Sequence, residues 1–430
     1  MPVICGDCKE VIKRMDDNSV DSIVTDPPAG IKFMGRIWDH DKGGRDQWIE
    51  WMTGIATECL RVIKPGGHAL VWSLPRTSHW TATAWENGGF ECRDSIVHIF
   101  GTGFPKSLDI SKAIDKTLGA EREVVGNRVR VYGYEKDYPN SFDNALFSVG
   151  NNNKLTAPST ELAKQFSGFG TALKPAHEDW ILLRKPVEGT IAQNVLKYGV
   201  GGINIDGCRI GETGARNNGN SHGTIGSNSM GVYGKAIKQD YNKGRFPANL
   251  IHDGSNEVLA LFPNTQVSKG KYIRKTGDKQ FLGVMGDGRT NEPDGLCDSG
   301  SAARFFYCAK PSPQERNIGC ENLPHKTAGE CTDRVEGSAG LNSPRAGAGR
   351  TNGSKNDHPT VKSISLMRYL CKLITPPNGI VLDPFCGSGS TGLAAYLEGF
   401  QCIMIDSDSH FCEIAEARMK SVIKGNNKLS

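Results

Sequence analysis

A chain of 430 residues is too long for one small core and implies two or three domains, or one large domain carrying an insertion. With 37% hydrophobic and 23% charged residues the composition is that of an ordinary globular protein, and a net charge of +4, from 51 basic and 47 acidic residues, is too mild to argue alone for a nucleic-acid partner. No apolar run is long enough to span a bilayer, the start Met1-Pro-Val-Ile-Cys-Gly-Asp7 lacks the features of a secretory signal, and thirteen scattered cysteines make no disulfide framework, so the expected setting is a reducing, cytoplasmic one without a membrane partner.

In chain order, residues 2–5 read as a strand and 7–15 as a helix, with Val11, Ile12 and Met15 at helical spacing. Cys5 and Cys8 form a lone C-x-x-C, which reads better as a strand end and turn than as half a metal site. Residues 20–25 are a strand that runs into Asp26-Pro27-Pro28, where two donor-free, φ-fixed residues must end it. A helix is predicted over 47–62, stopped by Pro65-Gly66-Gly67, then a strand over 68–72, a helix over 77–87 and a strand over 90–100. From 111 to about 356 the rhythm breaks up: Gly/Asn/Ser-rich loops at 211–234 and 335–357 separate short pieces at 180–185, 201–209, 245–252 and 302–310. It returns with a helix (363–374), a strand (379–382), a helix (390–397), a strand (402–405) and a helix (411–420). The expected fold is α/β, a sheet covered by helices, divided as 1–110, an inserted region 111–355, and 356–430.

Residues 381–391 form a strand, a glycine turn and a helix start, and one unit later the strand 403–405 ends in Asp406. Glycines admit a ligand close to the backbone, and an acid at the next strand tip can accept ribose hydroxyls, so an adenosine-type cofactor is expected. The third glycine of G-x-G-x-x-G is missing, which disfavours NAD, and no Lys-Ser or Lys-Thr follows Gly389, which excludes a P-loop.

Asp383-Pro384-Phe385-Cys386-Gly387-Ser388-Gly389 resembles motif I of the S-adenosylmethionine-dependent DNA amino-methyltransferases, and Asp26-Pro27-Pro28-Ala29 resembles their catalytic motif IV. Gly6-Asp7-Cys8, the segment from Leu60 to Gly67, and His358-Pro359-Thr360-Val361-Lys362 are similar to other family segments, in the order of the circularly permuted β class. The resemblance covers about 2–110 and 356–420, and the insertion is similar to those of phage and prophage members. It implies a Rossmann-like methyltransferase sheet with helices on both faces. It also implies S-adenosyl-L-methionine as cofactor, double-stranded DNA as partner, a bacterial cytoplasm as setting, and a homodimer as an open option. The implied cofactor set is Asp7, Cys8, Asp26, Thr360, Lys362, Asp383, Pro384, Phe385, Gly387, Gly389 and Asp406. Asp7 would meet the adenine or ribose, Asp406 the ribose hydroxyls, and Thr360 and Lys362 the methionine end.

An exocyclic amine is a poor nucleophile because its lone pair is delocalised. Asp26 and the carbonyl of Pro27, held rigid with Pro28, would accept its hydrogens and turn the lone pair toward the methyl group. Family members carry an aromatic where this chain has Ala29, so Phe33 or Trp38 is expected to stack on the flipped base. DNA reading is expected from the middle region, where Arg122, Arg128, Arg130, Arg209, Arg216, Arg245, Arg274 and Arg304 mix with Tyr132, Tyr134, Tyr138, Phe246 and Phe305. The acid before the prolines resembles adenine-specific members more than the Ser of many cytosine-N4 members, and the resemblance thus implies adenine N6. Cytosine N4 is the close alternative, followed by an RNA or protein-amide acceptor and a DNA-binding protein that has lost catalysis.

Overall fold

The run Val20-Asp-Ser-Ile-Val-Thr25 forms a strand, β2 (Val20–Thr25), buried along its whole length, as a strand covered on both faces must be. Its polar residues are paid for by partners: Lys64 Nζ lies 2.6 Å from Asp21 Oδ1, the Ile380 amide donates to Asp21 Oδ2 at 2.7 Å, and Ser22 and Thr375 hydroxyls meet at 2.8 Å. The computed structural model describes residues 1–33, 36–103, 107–127, 154–211, 244–266, 299–310, 312–327, 330–331 and 354–425.

Around β2 lies a nine-stranded sheet. In chain order its other strands are β1 (Val3–Cys5), β3 (Ile63–Ser73), β4 (Glu91–Ile99), β5 (His177–Arg184), β6 (Leu250–His252), β7 (Tyr307–Cys308), β8 (Ile380–Asp383) and β9 (Gln401–Asp406). The spatial order is β1-β9-β8-β2-β3-β5-β4-β6-β7. β5 runs antiparallel to both neighbours and every other pairing is parallel. The chain ends therefore interleave: β8 and β9 come from the C-terminal part and sit between β1 and β2.

Side chains alternate across the sheet. Val24, Leu70, Leu182 and Val381 share one core with α6 (Ile364–Ile374) and α7 (Ser390–Leu397). Ile23, Val71, Leu183 and Leu382 share the other with α1 (Cys8–Ile12), α2 (Arg45–Val62) and α3 (Ser78–Asn87). The expected α/β sheet with helices on both faces is thus the observed architecture. Helix α2 buries Trp48, Ile49, Met52, Ile55, Ala56, Cys59 and Val62, of which Ile49, Met52, Ile55, Ala56 and Cys59 follow from the helical spacing of the sequence. Helix α8 (Ser409–Ile423) closes the C-terminal part.

Two expectations change. Pro65-Gly66-Gly67 does not stop a helix in free loop. It lies inside β3, where the partner of β2 jumps from Ile63 to His68 between Val20 and Ser22. Gly66 takes φ +77° there and its amide donates to Lys185 O at 3.1 Å, while Asn194 of α5 (Ile191–Tyr198) donates to Pro65 O at 2.8 Å. Secondly, three strands of the sheet, β5, β6 and β7, come from 111–355, so that segment is partly sheet rather than wholly insertion. Beside it, α4 (Ile110–Thr117) and a two-stranded antiparallel ladder (Val124–Asn127 with Lys154–Thr156) are tied by Arg122, which reaches Asp115 at 2.6 Å and Thr156 Oγ1 at 3.2 Å. Every cysteine among the described residues is a free thiol, and among them no helix is long and apolar enough to cross a membrane.

Candidate active site

Parallel strands deliver their following loops to one edge, and the crevice opens where β8 and β2 lie side by side while their connections depart in opposite directions. A cleft of about 1510 Å³ occupies this edge. Asp7, Cys8, Asp26, Pro27, Pro28, Ala29, Phe33, Trp38, Thr360, Lys362, Asp383, Pro384, Phe385, Gly387 and Asp406 all line it. Residues from both ends of the chain thus meet, as the motif reading required. Gly389 does not line the cleft; it caps α7 with φ +78°, and a Cβ there would sit 3.0 Å from Ala415 Cβ.

The Thr25 hydroxyl donates to Asp383 Oδ1 at 2.6 Å, tying the tip of β2 to the tip of β8. The Phe385 amide donates to the same oxygen at 3.1 Å, and burial pushes the Asp383 carboxyl up to about 6. Asp406 organises the turn: its Oδ2 accepts from the Gly387 amide at 2.8 Å and its Oδ1 from Asp408 N at 2.9 Å. Arg418, fully buried, donates to Ser388 O at 2.5 Å and braces the turn from behind. Asp7 caps α1, with Oδ1 accepting from Lys9 N at 2.9 Å and Glu10 N at 3.2 Å. Cys8 is the first residue of that helix, and burial pushes its thiol up to about 12, which removes it from thiolate chemistry.

After the prolines the chain turns back through Gly30, whose φ is +71° and which packs so closely on Trp48 that a Cβ would lie 2.7 Å from the ring. The loop closes on a buried acid: Asp39 accepts from the amides of Gly30 (2.8 Å), Ile31 (3.3 Å) and Phe33 (2.8 Å). Phe33 and Trp38 flank this acid and both face the cleft. Asp39 went unnoticed in the sequence because nothing local marks an acid that caps its own loop nine residues back.

Lys362 makes contacts in the cleft that its motif alone does not specify. Its ammonium is 3.4 Å from Asp26 Oδ2 and 3.0 Å from Glu178 Oε2, and stands 4.1 Å from the centre of the Trp72 ring. It is thus ion-paired to both carboxylates at the wall of the cleft. Glu178, from the start of β5, is the residue that sequence reasoning missed. It accepts from Trp72 Nε1 at 2.6 Å and lies 2.9 Å from His98 Nδ1. Burial pushes Asp26 up to about 7, with Lys362 pulling it down and Glu178 pushing it up further. Burial works against the Glu178 charge too, but Lys362 and His98 hold its carboxyl well below the usual range, and the two carboxylates keep Lys362 charged against its own burial.

His358 packs edge-on against Phe411 with ring centres 4.5 Å apart, and burial drives its imidazole down to about 3, so it is neutral and accepts from Thr360 N on Nδ1 at 3.4 Å. Among the arginines expected to read DNA, Arg122 is spoken for by Asp115; Arg209 bonds Asp206 at 2.9 Å; the guanidinium groups of Arg245 and Arg304 lie over Phe305 at 4.8 and 4.5 Å. Arg128, Arg130, Arg216, Arg274, Tyr132, Tyr134 and Tyr138 lie outside the described residues.

The cleft exceeds the ~300–1,000 Å³ of a usual small-molecule site, which leaves room for two reactants. Its acids Asp7 and Asp406, with the Phe385 ring and the glycine cradle, suit a ligand that offers hydroxyl donors, an aromatic base and a positive centre. A dinucleotide's phosphates would find the wrong charge there.

Residues 20–122 and 318–417 match a family model described as DNA methylase. A stretch of 71 residues is 34% identical to the type II methyltransferase M.BamHI of Bacillus amyloliquefaciens, covering 16% of this chain and 17% of that protein. Over 70 residues the chain is 36% identical to the type II methyltransferase M.BglII of Bacillus subtilis, covering 16% of this chain and 18% of that protein. The matched stretches span less than a fifth of these relatives. The solved structure of the M1.HpyAVI–SAM complex aligns over 97% of this chain and 98% of its own at 15% identity, with a TM-score of 0.38.

Proposed function

We propose, from the premise that its two matched segments are those of a DNA methylase, that this chain transfers a methyl group from S-adenosylmethionine to the exocyclic amine of a flipped base in duplex DNA, adenine N6 in the first instance. The observation that carries this reading is the convergence of Asp26-Pro27-Pro28 and the Asp383–Gly387 turn, from opposite ends of the chain, on one cleft. The order of the two segments agrees with the circularly permuted β class.

When bound, the cofactor supplies a methyl group activated on a positive sulfur. Asp406 and Asp7 would accept hydrogen bonds from its adenosine, Phe385 would pack on the base, and the Gly387 turn would let it approach the backbone. Asp26 and the Pro27 carbonyl accept the two amine hydrogens of the target, which localises the nitrogen lone pair. Thr25 and the prolines keep these acceptors from moving when charge develops. A carboxyl poised near neutrality can also take the proton that the methylated nitrogen releases.

Phe33 and Trp38 form the stacking wall that Ala29 cannot supply. Each stacked base is worth about 1–3 kcal/mol, so Phe33→Ala or Trp38→Ala should raise the KM for DNA about tenfold or more with cofactor affinity unchanged. If neither variant moves KM, these aromatics serve only loop packing.

The function is tested by expressing the protein in a methylation-free bacterial host and digesting the DNA to nucleosides for mass spectrometry. N6-methyladenine is the expected product. N4-methylcytosine would keep the chemistry and change the base, and neither product from folded protein would refute DNA as acceptor.

A further inference from the structure

We propose that Glu178 is a positioning residue of the active site: it fixes the Lys362 ammonium beside Asp26 and so sets the charge and the orientation of the acceptor carboxylate. This rests on the assignment of Asp26 as the acceptor of the target amine.

The geometry leaves Glu178 no freedom of its own. Oε2 accepts from Trp72 Nε1 at 2.6 Å and from Lys362 Nζ at 3.0 Å, and Oε1 is held by His98 Nδ1 at 2.9 Å. The sheet register explains why: His98 of β4 is the direct partner of Glu178 in β5, and on the other side Trp72 of β3 pairs with Trp180. A lysine is a compact charge on a flexible stem. Here that stem ends between Glu178, Asp26 at 3.4 Å, and the faces of Trp72 and Trp180 at 4.1 and 6.0 Å. One oxygen of Asp26, Oδ2, is thereby turned to the lysine, and Oδ1 is left for the amine.

One ammonium serves two carboxylates away from bulk water, and Glu178 holds it closer. Asp26 is left the less compensated of the two. The other titratable groups around the trio are Asp383 from the tip of β8, His98 and Asp179 from the sheet, and the neutral His358. During transfer the nitrogen–methyl bond forms and the methyl–sulfur bond breaks with its electron pair going to sulfur. The nitrogen is then positive until it loses a proton. Asp26, under-compensated, receives that proton and passes it to water.

The experiment compares Glu178→Gln, Lys362→Met and the double variant with the wild type. Methyl transfer to duplex DNA is measured against pH. The Asp26 carboxyl is followed separately by carbon-13 NMR titration of aspartate-labelled protein, assigned with Asp26→Asn, which needs no turnover. Glu178→Gln should move the acid limb and the Asp26 titration to lower pH, because repulsion is lost while an oxygen still accepts from the lysine. Lys362→Met should move both to higher pH. The double variant, neutral where the pair stood and so the safest to fold, should titrate below Lys362→Met. Binding of S-adenosylhomocysteine to Glu178→Gln should match wild type by calorimetry. A limb and titration that stay in place, with the rate reduced equally at every pH, would make Glu178 a structural bridge and overturn the proposal; an upward shift would also overturn it. If the wild type methylates no DNA, the assigned function fails, yet the NMR titration still decides whether Glu178 governs Asp26.

Discussion

Asp26→Asn is expected to lower the rate of methyl transfer by at least about 10²–10³-fold, the usual loss when one preorganised electrostatic partner is removed from a reacting centre. The asparagine keeps the shape of the side chain but brings no charge, and its amide hydrogens oppose those of the target amine. Wild-type activity should rise with pH through a single step near neutrality, because burial pushes Asp26 up to about 7 and only the ionised form accepts both the amine hydrogen and the later proton. That step should vanish from the residual activity of the variant. The sign of the stability change is a second check. A carboxyl whose folded pKa is raised binds its proton more tightly in the fold, so stability falls as pH rises from the ordinary carboxylate range through the folded value. Removing the charge relieves that penalty, and at pH above it the thermal midpoint of Asp26→Asn should equal or exceed that of the wild type. A lowered midpoint with the same pH step would mean that Asp26 is a structural ion-pair partner of Lys362 and not the acceptor of the amine.

The parts of the site that could be read from the chain are those where one short segment carries both the structure and the chemistry. A strand that runs into Asp-Pro-Pro can end in only one way, and Asp383 and Asp406 sit at strand tips for the same local reason. Glu178 was not legible because its role depends on β5 inserting antiparallel between β3 and β4. Only that direction brings the start of β5 to the edge where the other strands end, and it pairs residues some eighty positions apart. The contribution of β5, β6 and β7 to the sheet was obscured likewise, since strands of two or three residues such as β6 and β7 carry no periodicity of their own. Lys362 lines the cleft and is ion-paired there with Asp26 and Glu178. The motif places it at the cleft, but its partner Glu178 was a residue that no local pattern exposes. Pro65-Gly66-Gly67 carried a strong stop signal, yet the sheet absorbed it as an irregularity in β3, stitched to Lys185 and Asn194.

Gly387→Val should abolish useful cofactor binding while leaving Asp26 in place. Gly387 has φ +49°, a conformation that costs an ordinary L-residue about 1–2 kcal/mol, and more for a β-branched one. A Cβ there would lie 2.6 Å from His358 Nε2 and 3.0 Å from its Cε1. His358 cannot retreat: it is packed on Phe411, and its carbonyl is held by Arg316 at 2.6 Å. The turn must move instead, and with it the amide that Gly387 donates to Asp406 at 2.8 Å, so the acid loses the orientation that suits it to hydroxyl donors. Loss of affinity for S-adenosylhomocysteine on the order of 100-fold, about 2.7 kcal/mol, is expected by calorimetry. Duplex DNA binding should survive, since the turn lies on the cofactor side of the cleft. Asp26→Asn should show the complementary result, cofactor bound and transfer slowed by the factor given above. The two variants together divide the cleft into a half that holds the methyl donor and a half that activates the acceptor. Wild-type cofactor affinity in Gly387→Val would remove the glycine turn from the first half and leave the family likeness of that segment without a physical basis.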